Sequence, residues 1–171
     1  MVSRLFGRKA KTPTTPTPEA QYAPGTQVRY DPNLIKHFEG HHKTLLQLFG
    51  KITQATEQQN FAAISRHMEA FRKVLHLHLL EENVKLYSYL SSTLATDPYS
   101  SELANAMKRE MGEIGMSVFR FIEHYTGSGV DSSSLATFHG QLDKIGSILV
   151  DRIEREESSL YGLYMPPAIS S

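Results

Sequence analysis

Several histidine and glutamate residues are spaced so that, in a helix, their side chains would lie on the apolar face. His78 and Glu82 lie four residues apart, so a helix places the imidazole and the carboxylate one turn apart on one face. Together, imidazole nitrogen and carboxylate oxygen bind transition metals such as iron and zinc. A hydrogen bond between the two side chains is the simpler interpretation of this spacing. For His42, the simpler interpretation is a core histidine whose hydrogen bonds are satisfied. A metal site therefore needs ligands from several helices.

Four segments carry apolar residues at alternating spacings of three and four, which predicts a buried stripe on each of four helices. Aspartate–proline pairs at 31–32 and 97–98 are typical helix starts, and Asn60 is a candidate cap. Because the connections are short and no alternating strand pattern occurs, we predict an all-α, antiparallel up-down-up-down four-helix bundle. The predicted helices span residues 32–57, 60–95, 99–126 and 131–164.

Polar residues interrupt the apolar stripe of every predicted helix. An unpaired polar group in a helical core costs several kcal/mol, so these side chains are expected to meet one another. At about 1.5 Å of rise per residue they fall within a layer roughly 15 Å thick. We therefore predict one buried polar cluster. Its members are His42, His78, Glu82, Glu110, Arg152 and Glu156.

An internal repeat relates the second and fourth helices. A shift of 74 residues places the seam of the second helix on that of the fourth, so that Glu82 maps onto Glu156 and His78 onto Arg152. The agreement predicts two helical hairpins related by a pseudo-two-fold axis. Arg152 is then expected either within hydrogen-bond reach of Glu82 or Glu156, preferably with bidentate geometry, or extended to the surface.

Composition excludes several classes of protein. The chain has 171 residues, equal numbers of basic and acidic side chains (18 each) and no cysteine, which argues against a nucleic-acid surface, disulfides and thiolate metal sites. It has no apolar run long enough for a membrane span or a secretory leader, so we expect a cytoplasmic protein. Residues 1–26, rich in proline and threonine, are predicted to be a disordered tail, with the bundle at 27–171.

The polar seam motifs resemble those of the hemerythrin-like (HHE cation-binding) family over residues 30–165. The matching segments are His41-His42-x-x-Leu45-Leu46, His78-Leu-Leu-Glu81-Glu82 followed by Leu86-Tyr87, and Glu156-Glu157 followed by Leu160-Tyr161. The resemblance implies a bundle that commonly holds two non-haem irons and binds or senses oxygen or nitric oxide, or stores iron. It also implies imidazole ligands at His42 and His78 and carboxylate ligands at Glu82 and Glu156, with Glu110 or Glu113 as a further candidate.

Two positions depart from the family pattern. His41 stands where an aspartate is expected, and Arg152 stands where the fourth helix would supply a histidine. Arginine stays protonated and cannot coordinate a metal, so its guanidinium can neutralise carboxylates that iron would otherwise bridge. A di-iron centre, a single-metal site through His42, His78, Glu82 and a second carboxylate, and a metal-free polar core all remain open. His37 and His41 are expected at the rim of the seam, in contact with solvent.

Two functions compete on this evidence. The first is an iron-binding sensor or carrier of a small gaseous ligand. The second is a metal-free bundle that acts through a protein partner, as bacterial regulators that bind the housekeeping sigma factor do on helical bundles of similar size; this is an analogy of fold alone. An enzyme is not expected, because the sequence has no Ser/His/Asp constellation, phosphate loop or paired-acid cleft.

Overall fold

The computed structural model describes residues 22–167, and within this range the fold is a helical bundle without a β-sheet. Counted through their π and 3₁₀ turns, the four helical segments begin and end within about four residues of the predicted helices. The α-helices are α1 Leu34–Glu57, α2 Phe61–Glu81, α3 Ser88–Thr93, α4 Pro98–Ser128 and α5 Leu135–Arg155.

The helix ends follow from local side-chain chemistry. Asn60 caps α2 by accepting from the Ala63 N–H at 3.1 Å, and Asp97 caps α4 by accepting from the Ser100 N–H at 3.2 Å. α1 begins later than predicted, because Asp31 accepts the Asn33 N–H and the first helical residue is Leu34.

Two π-helical turns interrupt the second and fourth helical segments, which were predicted as uninterrupted α-helices. Glu82–Tyr87 joins α2 to α3, and Glu156–Leu160 extends α5 before a single 3₁₀ turn. Each π turn begins at a seam glutamate, and the two glutamates are related by the 74-residue repeat. A π turn inserts an extra residue into the helix. Leu86 and Tyr87, neighbours in sequence, are both buried as a result.

Two apolar clusters fill the core, and the polar seam residues lie between them. The larger cluster includes Leu45, Leu75 and Leu149, and the smaller includes Phe38, Leu86 and Leu160. Along each helix the polar side chains fall between a member of one cluster and a member of the other. The polar layer is therefore closed off from water on both sides, in a medium of low dielectric constant.

The N-terminal segment corrects the predicted extent of the tail. Residues 22–26 were predicted to be disordered, but Tyr22 pairs with Arg29 in an isolated antiparallel bridge and Ala23 is buried in the smaller apolar cluster. The Ala23 N–H donates to the Val28 carbonyl at 2.8 Å, and Gly25 takes the positive φ of 71° that the turn requires. The rest of the predicted tail, 1–21, lies outside the described residues.

The helices of the described part of the chain are amphipathic rather than uniformly apolar. None of them has the length and hydropathy needed to cross a membrane.

Candidate metal centre

Five of the six polar seam residues meet in one buried cluster. His42 and His78 face the same interior, with ring centroids 4.9 Å apart. Single ligand atoms of His42, His78 and Glu156 all lie within 4.8 Å of one another. Each of the five residues is at most 2% exposed: His42, His78, Glu82, Arg152 and Glu156.

His42 is held in a defined orientation by two glutamates. Its Nδ1 lies 2.8 Å from Glu157 Oε1, while its Nε2 lies 3.1 Å from Glu156 Oε2 and 3.2 Å from the Tyr161 hydroxyl. Burial opposes a charge on this imidazole, but the contacts with Glu156 and Glu157 outweigh burial and raise its pKa. The Glu157 carboxylate fixes the ring so that Nε2 faces the interior, as outer partners of metal-binding histidines do.

His78 and Glu82 contain the unsatisfied atoms of the cluster. His78 Nδ1 and Glu82 Oε1 are buried without a hydrogen-bond partner, and the pair is only loosely associated, with His78 Nε2 at 3.9 Å from Glu82 Oε2. Burial lowers the pKa of His78 to about 4. Burial and the nearby Glu156 carboxylate raise the pKa of Glu82 well above its usual range. Burial therefore favours the neutral form of both side chains, and each keeps one polar atom without a partner in the core.

Arg152 remains in the core, so the surface alternative is wrong. Its Nε donates to Glu156 Oε1 at 2.6 Å, its Nη2 donates to the Tyr87 hydroxyl at 2.9 Å, and its Nη1 donates to Glu110 Oε2 at 3.3 Å. The expected contact with Glu156 forms, but through one nitrogen rather than two. Burial would raise the pKa of Glu156, and contacts with His42 and Arg152 reverse this and lower it.

Glu110 does not belong to the buried cluster. Its side chain is 38% exposed, and both its oxygens are held by Arg155, with Nη1 to Oε1 at 2.8 Å and Nη2 to Oε2 at 2.7 Å. The bidentate pair therefore forms between Glu110 and Arg155 at the edge of the cluster, because the Glu110 side chain extends outward from α4. Glu113, the alternative candidate on α4, is exposed.

Three site residues were missed as participants. Tyr87 accepts from Arg152, Tyr161 contacts His42, and Glu157 orients His42 from outside. The tyrosines are related to each other by the 74-residue repeat. The 74-residue repeat places a tyrosine five residues after each seam glutamate, and this signal indicates Tyr87 and Tyr161. No local signal distinguishes Glu157 from other exposed glutamates.

A family model for the hemerythrin HHE cation binding domain matches residues 33–164. The chain belongs to this family. The matched range begins one residue before α1 and ends after the second π turn, so it includes every member of the buried cluster. Comparison with curated proteins and with solved structures gives no match for the chain.

The residues of this HHE bundle fit one metal ion and not two. Two imidazoles and one carboxylate converge, and the buried atoms of His78 and Glu82 that have no hydrogen-bond partner are able to bind a cation. Arg152 lies where the repeat would place a further imidazole, and its Nε already donates to Glu156 Oε1, so the ligands for a second ion are lacking. The Arg152 guanidinium places a fixed positive charge in the cluster.

An apolar cavity opens beside the buried cluster of this HHE bundle. It has a volume of about 390 Å³ and lies mainly between α1 and α5, with Phe49 and Gly146 in its walls. Its inner end reaches His42, His78 and Glu156. The cavity therefore offers a mainly apolar space for a small molecule beside the cluster.

Proposed function

We propose that this HHE bundle binds a single iron(II) ion through His42, His78, Glu156 and Glu82, and exposes it to a small gaseous ligand, oxygen or nitric oxide. The observation that supports this best is the convergence of three ligand side chains in a buried layer between two apolar clusters, with unpaired atoms on His78 and Glu82. In this proposal the four helices alternate in direction, because the connections between them are short. The protein acts in the cytoplasm, and it binds its ligand without transforming it.

Each residue of the chain has a defined part in this proposal. His42 and His78 supply neutral imidazole nitrogens, Glu156 and Glu82 supply carboxylate oxygens, and Glu157 keeps His42 aligned. A bound iron(II) with open coordination positions supplies the chemistry that captures a diatomic gas. The apolar cavity admits such a molecule and holds few groups that would order water.

Arg152 limits the site to one ion and keeps the metal-free protein folded. Its guanidinium balances Glu156 in the core, so the polar layer does not carry an uncompensated carboxylate before a metal arrives. A bundle that must remain folded without metal gains from this arrangement, because a di-metal carboxylate cluster would be left with buried like charges.

Anaerobic iron(II) loading followed by gel filtration tests the proposal. Retained iron is expected near one per chain in the natural protein. His78→Ala should retain none, while His76→Ala, which removes an exposed imidazole two residues away on α2, should retain one. Two retained irons per chain would contradict the role given to Arg152, and no retained iron in the natural protein would contradict metal binding itself.

A second candidate function, regulation through a protein partner without metal, is supported by an exposed apolar stripe. Leu77, Leu80 and Val84 follow one another at spacings of three and four on the outer side of α2 and its π turn, and they are 47%, 52% and 54% exposed. The same loading experiment separates the two functions, because the partner function predicts a protein that retains no iron.

A further inference from the structure

A second group of metal-ligand side chains lies at the surface, outside the buried cluster. His37 and His41 stand one turn apart on α1, and Glu81 ends α2 beside them. Single ligand atoms of these three residues lie within 4.8 Å of one another. The group is open to solvent at one end, since the His37 side chain is 46% exposed and that of Glu81 is 21% exposed.

His41 supplies an independent indication that this group is a ligand site. Its Nδ1 is buried and has no hydrogen-bond partner, although Glu81 and His37 are close by. A buried ring nitrogen without a partner is costly, and a bound cation would satisfy it. His37 instead uses its Nε2 to contact Glu81 Oε2 at 2.6 Å, which brings the imidazole and the carboxylate together.

The surface group is the outer end of a line of imidazoles. Ring centroids are 4.3 Å apart between His37 and His41, 5.8 Å between His41 and His78, and 4.9 Å between His78 and His42. The line runs from an exposed side chain to the fully buried ligand set. Each ring is a ligand for the same class of divalent transition metals.

We propose that His37, His41 and Glu81 form an outer site that captures a divalent transition-metal cation from solvent and passes it inward, by ligand exchange, along His41 and His78. Capture does not depend on the function proposed above, whereas the transfer step rests on it. The transfer is an exchange of ligands without redox change, since the cation leaves the His37 nitrogen and the Glu81 oxygen for the inner imidazoles.

Lys85 competes with the cation for the outer carboxylate. Its Nζ lies 2.9 Å from Glu81 Oε1, and its side chain is 48% exposed. The ammonium group must leave this oxygen, or share the carboxylate, when a cation binds. Its removal should therefore strengthen capture, an effect that a purely structural His37–Glu81 pair would not produce.

Calorimetric titration with Zn²⁺ tests capture. In His78→Ala, which disables the buried set, one binding event is expected to remain, weaker than that of the buried set and too weak for the cation to stay bound through gel filtration. Adding His37→Lys, which keeps a cation opposite Glu81 but removes the imidazole, should weaken that event by roughly tenfold or more. Adding Lys85→Ala instead should strengthen it. Capture is refuted if His37→Lys leaves the titration unchanged or if His78→Ala binds no zinc.

Loading kinetics test the transfer step in the full chain. Filling of the buried site by Co²⁺ is followed through its visible absorption in the natural protein, in His37→Lys and in His76→Ala. We expect His37→Lys to slow filling by roughly tenfold without changing the final absorbance, and His76→Ala to match the natural protein. Equal filling rates in all three would refute transfer. A natural protein that captures zinc but never fills the inner site would refute the proposed function instead.

Discussion

Arg152 Nε lies 2.6 Å from Glu156 Oε1 in a layer where both side chains are almost fully buried. The contact joins residues one helical turn apart at the point where α5 passes into a π turn. At this position the repeat partner is His78, so the charge pair replaces an imidazole–carboxylate pair. We therefore expect this pair to influence the stability of the metal-free protein, the number of metal ions that the protein can bind and the protonation of the buried glutamates.

Arg152→Ala should destabilise the metal-free protein by roughly 3–5 kcal/mol, because Glu156 would be left buried beside Glu82 without the guanidinium that pairs with it. The matched control is Arg155→Ala, which breaks a pair between half-exposed side chains and should cost about 1 kcal/mol or less. Urea denaturation at neutral pH measures both. Equal losses in the two variants would show that Arg152 does not neutralise the core.

Arg152→His should restore an imidazole at the position that the repeat pairs with His78. We expect higher iron affinity, retained iron above one per chain and a lower free energy of unfolding without metal, because the buried guanidinium charge is gone. Side-by-side anaerobic iron titration of the variant and the natural protein measures the first two. Equal, tight binding by both would rule out Arg152 as a substitute for a second metal.

Glu82→Gln should separate folding from metal binding. Because burial and Glu156 raise the pKa of Glu82 and so favour its neutral form, an amide of the same shape should change the free energy of unfolding by less than about 1 kcal/mol. Iron affinity should fall by roughly tenfold or more, since a ligand oxygen is replaced by an amide.

Glu156→Gln is the contrasting variant for that comparison. His42 and Arg152 both depend on the ionised Glu156, so its loss should cost roughly 3–5 kcal/mol of stability as well as metal binding. If Glu82→Gln destabilised the protein as much as Glu156→Gln does, the core would not favour the neutral form of Glu82.

Asp131 should make stability at the start of α5 depend on pH. Hydrogen bonds from Ser133 and Ser134 lower its pKa to about 2, from an ordinary value of 3.8. A depressed carboxyl pKa stabilises the folded state fully above the ordinary value, and the contribution is lost as the pH falls through about 2. Asp131→Ala should therefore lower the melting temperature at pH 7.

The difference between Asp131→Ala and the natural protein should shrink as the pH is lowered through about 2. Glu154→Ala, an exposed acid farther along α5, is the control and should show little change at either pH. A difference that persists undiminished in strong acid would mean that Asp131 acts through packing and not through its charge.

The sequence by itself determined which helix faces would meet and which polar residues they would carry inward. His42, His78, Glu82 and Glu156 could be placed in one layer because helical periodicity and rise are local properties, set by spacing alone. The caps at Asn60 and Asp97 could be predicted for the same reason, since each depends on an N–H three residues away.

Tertiary structure decided what those residues contact. The two π turns, the outward path of Glu110 to Arg155, and the three-way contact of Arg152 depend on how neighbouring helices fill the available space, which no single-helix pattern records. The grouping of His37 and His41 with Glu81 likewise needs the pairing of α1 with α2, because the two segments are separated in sequence and meet only when the bundle closes.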